Sequence, residues 1–219
     1  MASIKIICTT LLVEKSPQAL PLGAACIASA LKSDSNLREL CDIELLAFSH
    51  ESDFLKNIPK HDSKKIAELL SEKLIQNFKG NYDIRFCLFS VFVWNKDIFD
   101  ITSNILKKHN IITIAGGPEI TAHPDDIRSF DYISTGEGEQ KIPFLIKQIL
   151  KSNKTIDITL NNNQNTNCKN QNNTNPNYPS PYLDGTLNLN EYHGALWELA
   201  RGCPFKCSYC YESKGEKTV

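Results

Sequence analysis

The sequence predicts an α/β fold with a doubly wound parallel sheet over residues 1–160 of its 219. Three observations predict it. Short apolar runs rich in Ile, Val and Thr recur along this stretch, as strands buried on both faces require. Amphipathic or small-residue segments of helical period separate them, which implies right-handed βαβ crossovers. Glycine pairs or single glycines follow the later runs, where strands turn into helices.

The elements follow in order. Ser3 to Thr9 (SIKIICT) reads as the first strand. Pro21 to Lys32 is small, apolar and opened by Pro, so it reads as a helix. Asp42 to Phe48 is the second strand. Asp62 to Phe78 repeats Ile66, Leu69, Leu70, Leu74 and Phe78 at helical spacing, with Lys and Glu between. Tyr82 to Trp94 contains the third strand, Lys96 to His109 the third helix and Ile111 to Ala115 the fourth strand. Asp131 to Ser134 is a short fifth strand and Glu139 to Leu150 the last helix. Ile156 to Leu160 is apolar enough to add a strand. This order suits a flavodoxin/Rossmann-like domain over residues 1–160.

The texture then changes. Residues 161–178 are mostly Asn and bury almost nothing, so they read as an Asn-rich, disordered linker. Pro179 to Gly185 reads as an ordered turn opening a new unit, residues 179–219. In it Ala195 to Ala200 (ALWELA) reads as a strand, and the run Arg201-Gly202-Cys203-Pro204-Phe205-Lys206-Cys207-Ser208-Tyr209-Cys210 leaves its carboxyl end. A β/α barrel places its chemistry at such an end. Zinc would need a fourth ligand from His193 or Cys168. An iron–sulfur cubane held by Cys203, Cys207 and Cys210 alone would keep one iron open, since cubanes ordinarily take four cysteines. Tyr209 either stacks on a ligand or fills space.

Composition bounds the rest. Net charge is −1, which implies no general attraction to nucleic acid. No run approaches the ~20 apolar residues of a membrane span. Cys8 and Cys87 lie in apolar strand-like runs and Cys26 in a helical one, as buried reduced thiols do, which argues for a reducing cytoplasm. Five histidines are present; His50, His61, His109 and His123 read as surface or loop residues, and only His123 is placed near the glycine-bearing rim.

Ligands of open α/β sheets sit beyond the carboxyl ends of the strands. The candidate residues there are Ser90 after strand three, Gly116 and Gly117 after strand four, and Gly136, Glu137, Gly138 and Glu139 after strand five. Each has a plain alternative: turn chemistry for the glycines, capping or first-turn roles for the glutamates, a satisfied loop hydroxyl for Ser90.

The order PLG, S-x-F, GGPE, TGEGE and then RGCPFKCSYC resembles radical S-adenosylmethionine (SAM) proteins with an N-terminal cobalamin-binding domain. C-x3-C-x2-C with an aromatic before the last Cys is the specific part. The resemblance implies a radical SAM enzyme. A [4Fe-4S] cluster on the three cysteines would chelate SAM and cleave it reductively, with Tyr209 near its adenine. It further implies Ser90, Gly116 and Gly117 around the nucleotide tail of cobalamin, with Gly136 to Glu139 on the same rim. A flavodoxin- or ferredoxin-type reductant would be the partner, and methyl transfer or another radical reaction the outcome. The loop from Thr9 to Pro17 has no His, so any cobalamin would lack a protein imidazole ligand. Only the first strand of a barrel is present, so these residues alone are expected not to cleave SAM. The alternative is a non-catalytic cobalamin- or nucleotide-binding module with a metal-binding tail.

Overall fold

The computed structural model describes residues 3–16, 19–126, 129–152, 178–192, 194–198 and 207–208. Its centre is a five-stranded, all-parallel sheet in the order β2-β1-β3-β4-β5. The strands are β1 (Ile4–Leu12), β2 (Cys41–Ser49), β3 (Ile84–Ser90), β4 (Ile112–Gly116) and β5 (Tyr132–Ile133). The helices are α1 (Leu22–Ser33), α2 (Ser35–Leu40), α3 (Ser63–Asn77), α4 (Lys96–Lys107), α5 (Pro118–Ala122) and α6 (Gly138–Ser152). This is the doubly wound, flavodoxin/Rossmann-like architecture that the alternating pattern predicts.

Period-two alternation along the strands divides the core in two. Ile7, Leu11, Cys87, Phe89 and Ala115 face α3 and α4. Ile4, Ile6, Cys8, Phe86, Leu88 and Ile114 face α1, α2 and α6. Phe89 meets Phe99 and Phe130 edge-on, with ring centroids 5.0 and 5.2 Å apart. Burial pushes the Cys8 thiol up to about 12 and that of Cys87 well above its ordinary value, with the neighbouring Cys8 adding to the latter. Both are therefore packing residues, as their apolar surroundings suggest.

Several boundaries differ from expectation. β1 runs three residues past Thr9, because Thr10, Leu11 and Leu12 pair with Ala47, Phe48 and Ser49 of β2. The loop after it accordingly begins at Val13. The short α2 escapes sequence periodicity, since only Leu37 of its six residues is buried. Asp34 makes it possible by accepting from the Asn36 and Leu37 N–H groups at 3.1 and 3.2 Å. Of the expected Ala195–Ala200 strand, residues 195–198 have no sheet neighbour among the described residues and Trp197 is 86% exposed, while Leu199 and Ala200 lie outside the described residues. The Ile156–Leu160 strand, the tract from Asn161 to Asn177 and most of the cysteine run lie outside the described residues.

The segment from Tyr178 to Tyr192 folds back on the sheet domain. The Tyr178 hydroxyl donates to Glu137, Ser29 donates to Asp184, and the Lys32 ammonium donates to Thr186 at 3.0 Å. Leu187 is buried against Leu20 and Ala25, beside Tyr182 and Tyr192. The turn that opens at Pro179 is thus ordered by contacts with α1.

Asp34 also joins two helices, because its carboxylate accepts from Lys147 of α6 at 2.6 Å. Burial pushes its pKa up, but Lys147 and the N–H groups of Leu37 and Asn36 outweigh burial and hold it below the ordinary value. A depressed carboxyl pKa adds stability above the unfolded value of about 3.9, and that stability is lost as pH falls through the folded value. Asp34→Ala should cost about 1–2 kcal/mol in urea unfolding at neutral pH, whereas Asp34→Asn keeps the cap and should cost less than about 1 kcal/mol. The gap between wild type and Asp34→Asn should close as pH falls below about 4.

Candidate functional site

In the 2-1-3-4-5 order the winding direction reverses between β1 and β3, so the crevice lies beyond their carboxyl ends. Strand register brings three hydroxyl residues and a glycine into one row there. Thr10 of β1 lies beside Ser90 and donates to its carbonyl at 3.4 Å. Ser90 pairs with Gly116 of β4. Ser134, one residue past β5, comes next, its N–H donating to Ala115 O at 2.8 Å. Alternation places this row on the face that carries α1 and α6, since Cys8, Leu88, Ile114 and Tyr132 two residues earlier all lie there.

The row is polar and poor in side-chain bulk. Ser134 is 3% exposed, and its Oγ has no hydrogen-bond partner among the described residues. An orphaned buried hydroxyl costs about 1–3 kcal/mol unless water or a ligand reaches it. The first turn of α1 stands beside the row, because a methyl group on Gly23 would lie 3.4 Å from the Ser90 hydroxyl. Pro21 supplies that helix with no side-chain cap. Its first N–H groups therefore add donors and positive potential next to the hydroxyls.

The two glycines after β4 differ in role. Gly117 has φ +105°, and a methyl group there would lie 2.8 Å from the Val91 carbonyl oxygen and 2.9 Å from its nitrogen. The fold itself requires glycine at this position. Gly116 has an ordinary φ, and a methyl group would meet only the Ser134 carbonyl, at 3.5 Å. Backbone geometry does not demand glycine there, so its missing side chain leaves room in the row.

The other rim residues brace these loops. Gly136, at φ +71°, donates its N–H to the Thr121 hydroxyl at 2.9 Å, and that hydroxyl donates to Gly117 O at 3.0 Å. Glu137 receives the Tyr178 hydroxyl. Gly138 opens α6 so close to α1 that a methyl group would lie 2.6 Å from Ile27 Cδ1. Glu139 lies in the first turn of α6, where a carboxylate suits the helix dipole. Glu119 of GGPE is buried and receives Lys96 at 3.1 Å.

Beyond β3, Asn95 is fully buried. Its Oδ1 accepts from Phe92 N at 2.8 Å, and its Nδ2 donates to Leu11 O and Ser90 O at 3.2 and 3.3 Å. The Trp94 indole N–H donates to the same Leu11 carbonyl at 2.9 Å. Thr10, Ser134, Trp94 and Asn95 were not among the predicted site residues. Thr10 and Ser134 reach the row through register across strands far apart in sequence, and Trp94 and Asn95 through side-chain bonds to Leu11 O and Ser90 O, neither of which the order of residues displays.

His50 directly follows β2, on the other side of β1 from the glycine-bearing loops, and its N–H donates to Leu12 O at 3.3 Å. Burial, and then Lys60, lower its imidazole pKa and favour the neutral form. Of the cysteine run, Cys207 is partly buried, while Cys203, Tyr209 and Cys210 lie outside the described residues. Among the described residues no three His, Cys, Asp or Glu are grouped to hold a metal ion.

Fold and rim together define a doubly wound parallel α/β domain with a row of hydroxyl residues at its switch point. Comparisons of the chain with protein-family models, with curated proteins and with solved structures find no match. No helix among the described residues is long and apolar enough to cross a membrane.

Gly117→Ala should lower stability in urea unfolding by at least about 1–3 kcal/mol, from backbone strain and the Val91 contact. Gly116→Ala should stay within about 0.5 kcal/mol of wild type. Equal losses at both positions would remove the distinction between them.

Proposed function

We propose that this chain joins a cobalamin-binding domain to the cluster-binding segment of a radical SAM protein. One observation carries the reading: a C-x3-C-x2-C run with Tyr209 before its last cysteine follows a doubly wound domain with a polar row at its crevice. Three thiolates suit an iron–sulfur cubane with one open iron better than they suit four-coordinate zinc. The crevice residues suit the polar tail of cobalamin, because the row offers hydroxyls, an orphaned Ser134 Oγ and a glycine gap.

When bound, the cluster supplies the electron for reductive cleavage of SAM, and cobalamin supplies a carrier for methyl or related groups. The protein holds and orients them. Cys203, Cys207 and Cys210 would ligate iron as thiolates, and Tyr209 would pack near the adenine of SAM. Thr10, Ser90 and Ser134 would exchange hydrogen bonds with the tail, and Gly116 would admit it. Gly117, Gly136, Gly138, Glu137 and Glu139 would keep the loops and α6 in place around it. The electrons would come from a small reductant of the flavodoxin or ferredoxin type.

Anaerobic reconstitution of the chain with iron and sulfide should give about four irons per protein. Cys203→Ala, Cys207→Ala and Cys210→Ala should each abolish most of that uptake, and Cys168→Ala should not. The chain should also retain hydroxocobalamin in equilibrium dialysis, and Gly116→Val should weaken retention at least about tenfold by filling the row. Stoichiometric zinc without iron uptake would favour the module with a metal-binding tail. Loss of cobalamin retention alone would leave the crevice without its assigned ligand.

A further inference from the structure

The strap from Tyr178 to Tyr192 touches the surroundings of the hydroxyl row at two places. The first is Glu137, in the loop that runs from Ser134 into α6, which receives the Tyr178 hydroxyl. The second is the start of α1, which receives a loop closed on itself. Leu183 and Asp184 donate their N–H groups to Ser180 O at 3.1 and 3.2 Å, and Leu187 donates its own to Pro181 O at 2.7 Å. That loop seats Leu187, 3% exposed, against Leu20 and Ala25. Asp184 fastens it, accepting from the fully buried Ser29 hydroxyl and from Thr186 N, while Lys32 donates to the Thr186 hydroxyl. The seat of Leu187 and the wall of the row belong to one turn of helix. A methyl group on Gly23 would lie 3.4 Å from the Ser90 hydroxyl. Ala25, two residues on, stands about 200° round the helix and carries the strap. This turn has no side-chain cap, so its position rests on packing, to which Leu187 contributes.

We propose, resting on the cobalamin assignment above, that crevice occupancy and docking of this strap are linked through the first turn of α1 and through Glu137. The two states are the strap docked and the strap released. A ligand in the row binds best when the turn at Gly23 and the loop at Glu137 are held in place, and the docked strap holds both. Docking then strengthens ligand binding by the same factor by which the ligand strengthens docking. The sequence runs on from Tyr192 to the cysteine run. A filled crevice therefore holds the root of the cluster-binding segment more firmly than an empty one.

The test uses the full chain and hydroxocobalamin. In the wild type, hydrogen exchange at the Leu183, Asp184 and Leu187 amides should slow about fivefold or more on saturation. Leu187→Ala and Asp184→Ala should each raise the dissociation constant measured by dialysis by a factor of that order, although neither side chain belongs to the row. Asp34→Ala, which loosens the other end of α1, should leave that constant within about twofold, so that lost stability alone is not the cause. Circular dichroism should show the variants folded, and the exchange measurement needs no variant at all. Unchanged exchange at saturation, wild-type affinity in both strap variants, or an equal loss in Asp34→Ala would overturn the linkage and leave the cobalamin assignment intact. Failure of the wild-type chain to retain cobalamin would overturn both.

Discussion

The rim of this domain depends on one buried amide. Where a doubly wound sheet reverses its winding, no helix closes over the gap between the two central strands. The last carbonyls of those strands must find donors or be left orphaned. Asn95 supplies them. It donates to Leu11 O at the end of β1 and to Ser90 O at the end of β3, and it closes its own loop by accepting from Phe92 N. A side chain with both donors and an acceptor is needed. Asp would offer no donor to the two carbonyls, and an aliphatic residue would leave Phe92 N without its acceptor and take one of two donors from each of Leu11 O and Ser90 O. The positions of Ser90, Trp94 and the first residues of α4 all follow from this bond set.

A second constraint comes from close backbone approach. The loops after β3 and β4 touch through Val91 and Gly117, and Val91 N and O bond to Gly116 O and Glu119 N. Gly136 is drawn to the same point through Thr121. The three central loops therefore form one braced unit rather than three separate turns. Such bracing lets the row beneath tolerate an orphaned Ser134 hydroxyl and a glycine gap without collapsing.

The fold was largely legible in the sequence because buried parallel strands announce themselves. IKIICTT, IRFCLFS and IITIA are apolar on both faces, and the spacers between them have helical period. Strand ends were less legible. Thr9-Thr10 looks like the start of a loop, yet both hydroxyls are buried, Thr9 donating to Leu46 O at 2.8 Å. Helix α2 was hidden because its six residues rest on a cap and one leucine. The candidate site was legible only as scattered residues. Ser90, Gly116 and Ser134 are spread over 45 positions of the chain and meet only through register. Gly116 and Gly117 are indistinguishable as letters, and only φ separates the one the backbone needs from the one it does not.

The return of the chain at Tyr178 bears on how the two parts of the proposed function would cooperate. α6 carries the chain away from the rim over 15 residues, about 22 Å of helix. Tyr178 then bonds Glu137, which is back at the rim, one residue before α6 begins. From there Ser29, Lys32 and the Leu20–Ala25 pocket hold the chain along α1 as far as Tyr192. The path from the crevice to the cysteine run is thus anchored at its beginning, whatever the length of the Asn-rich tract that precedes it. Ends fixed by tertiary contacts make a loop's length cheap to change, since closure entropy grows only logarithmically. The place of Tyr178 to Tyr192 beside α1 is accordingly set by these contacts rather than by the length of the chain before it.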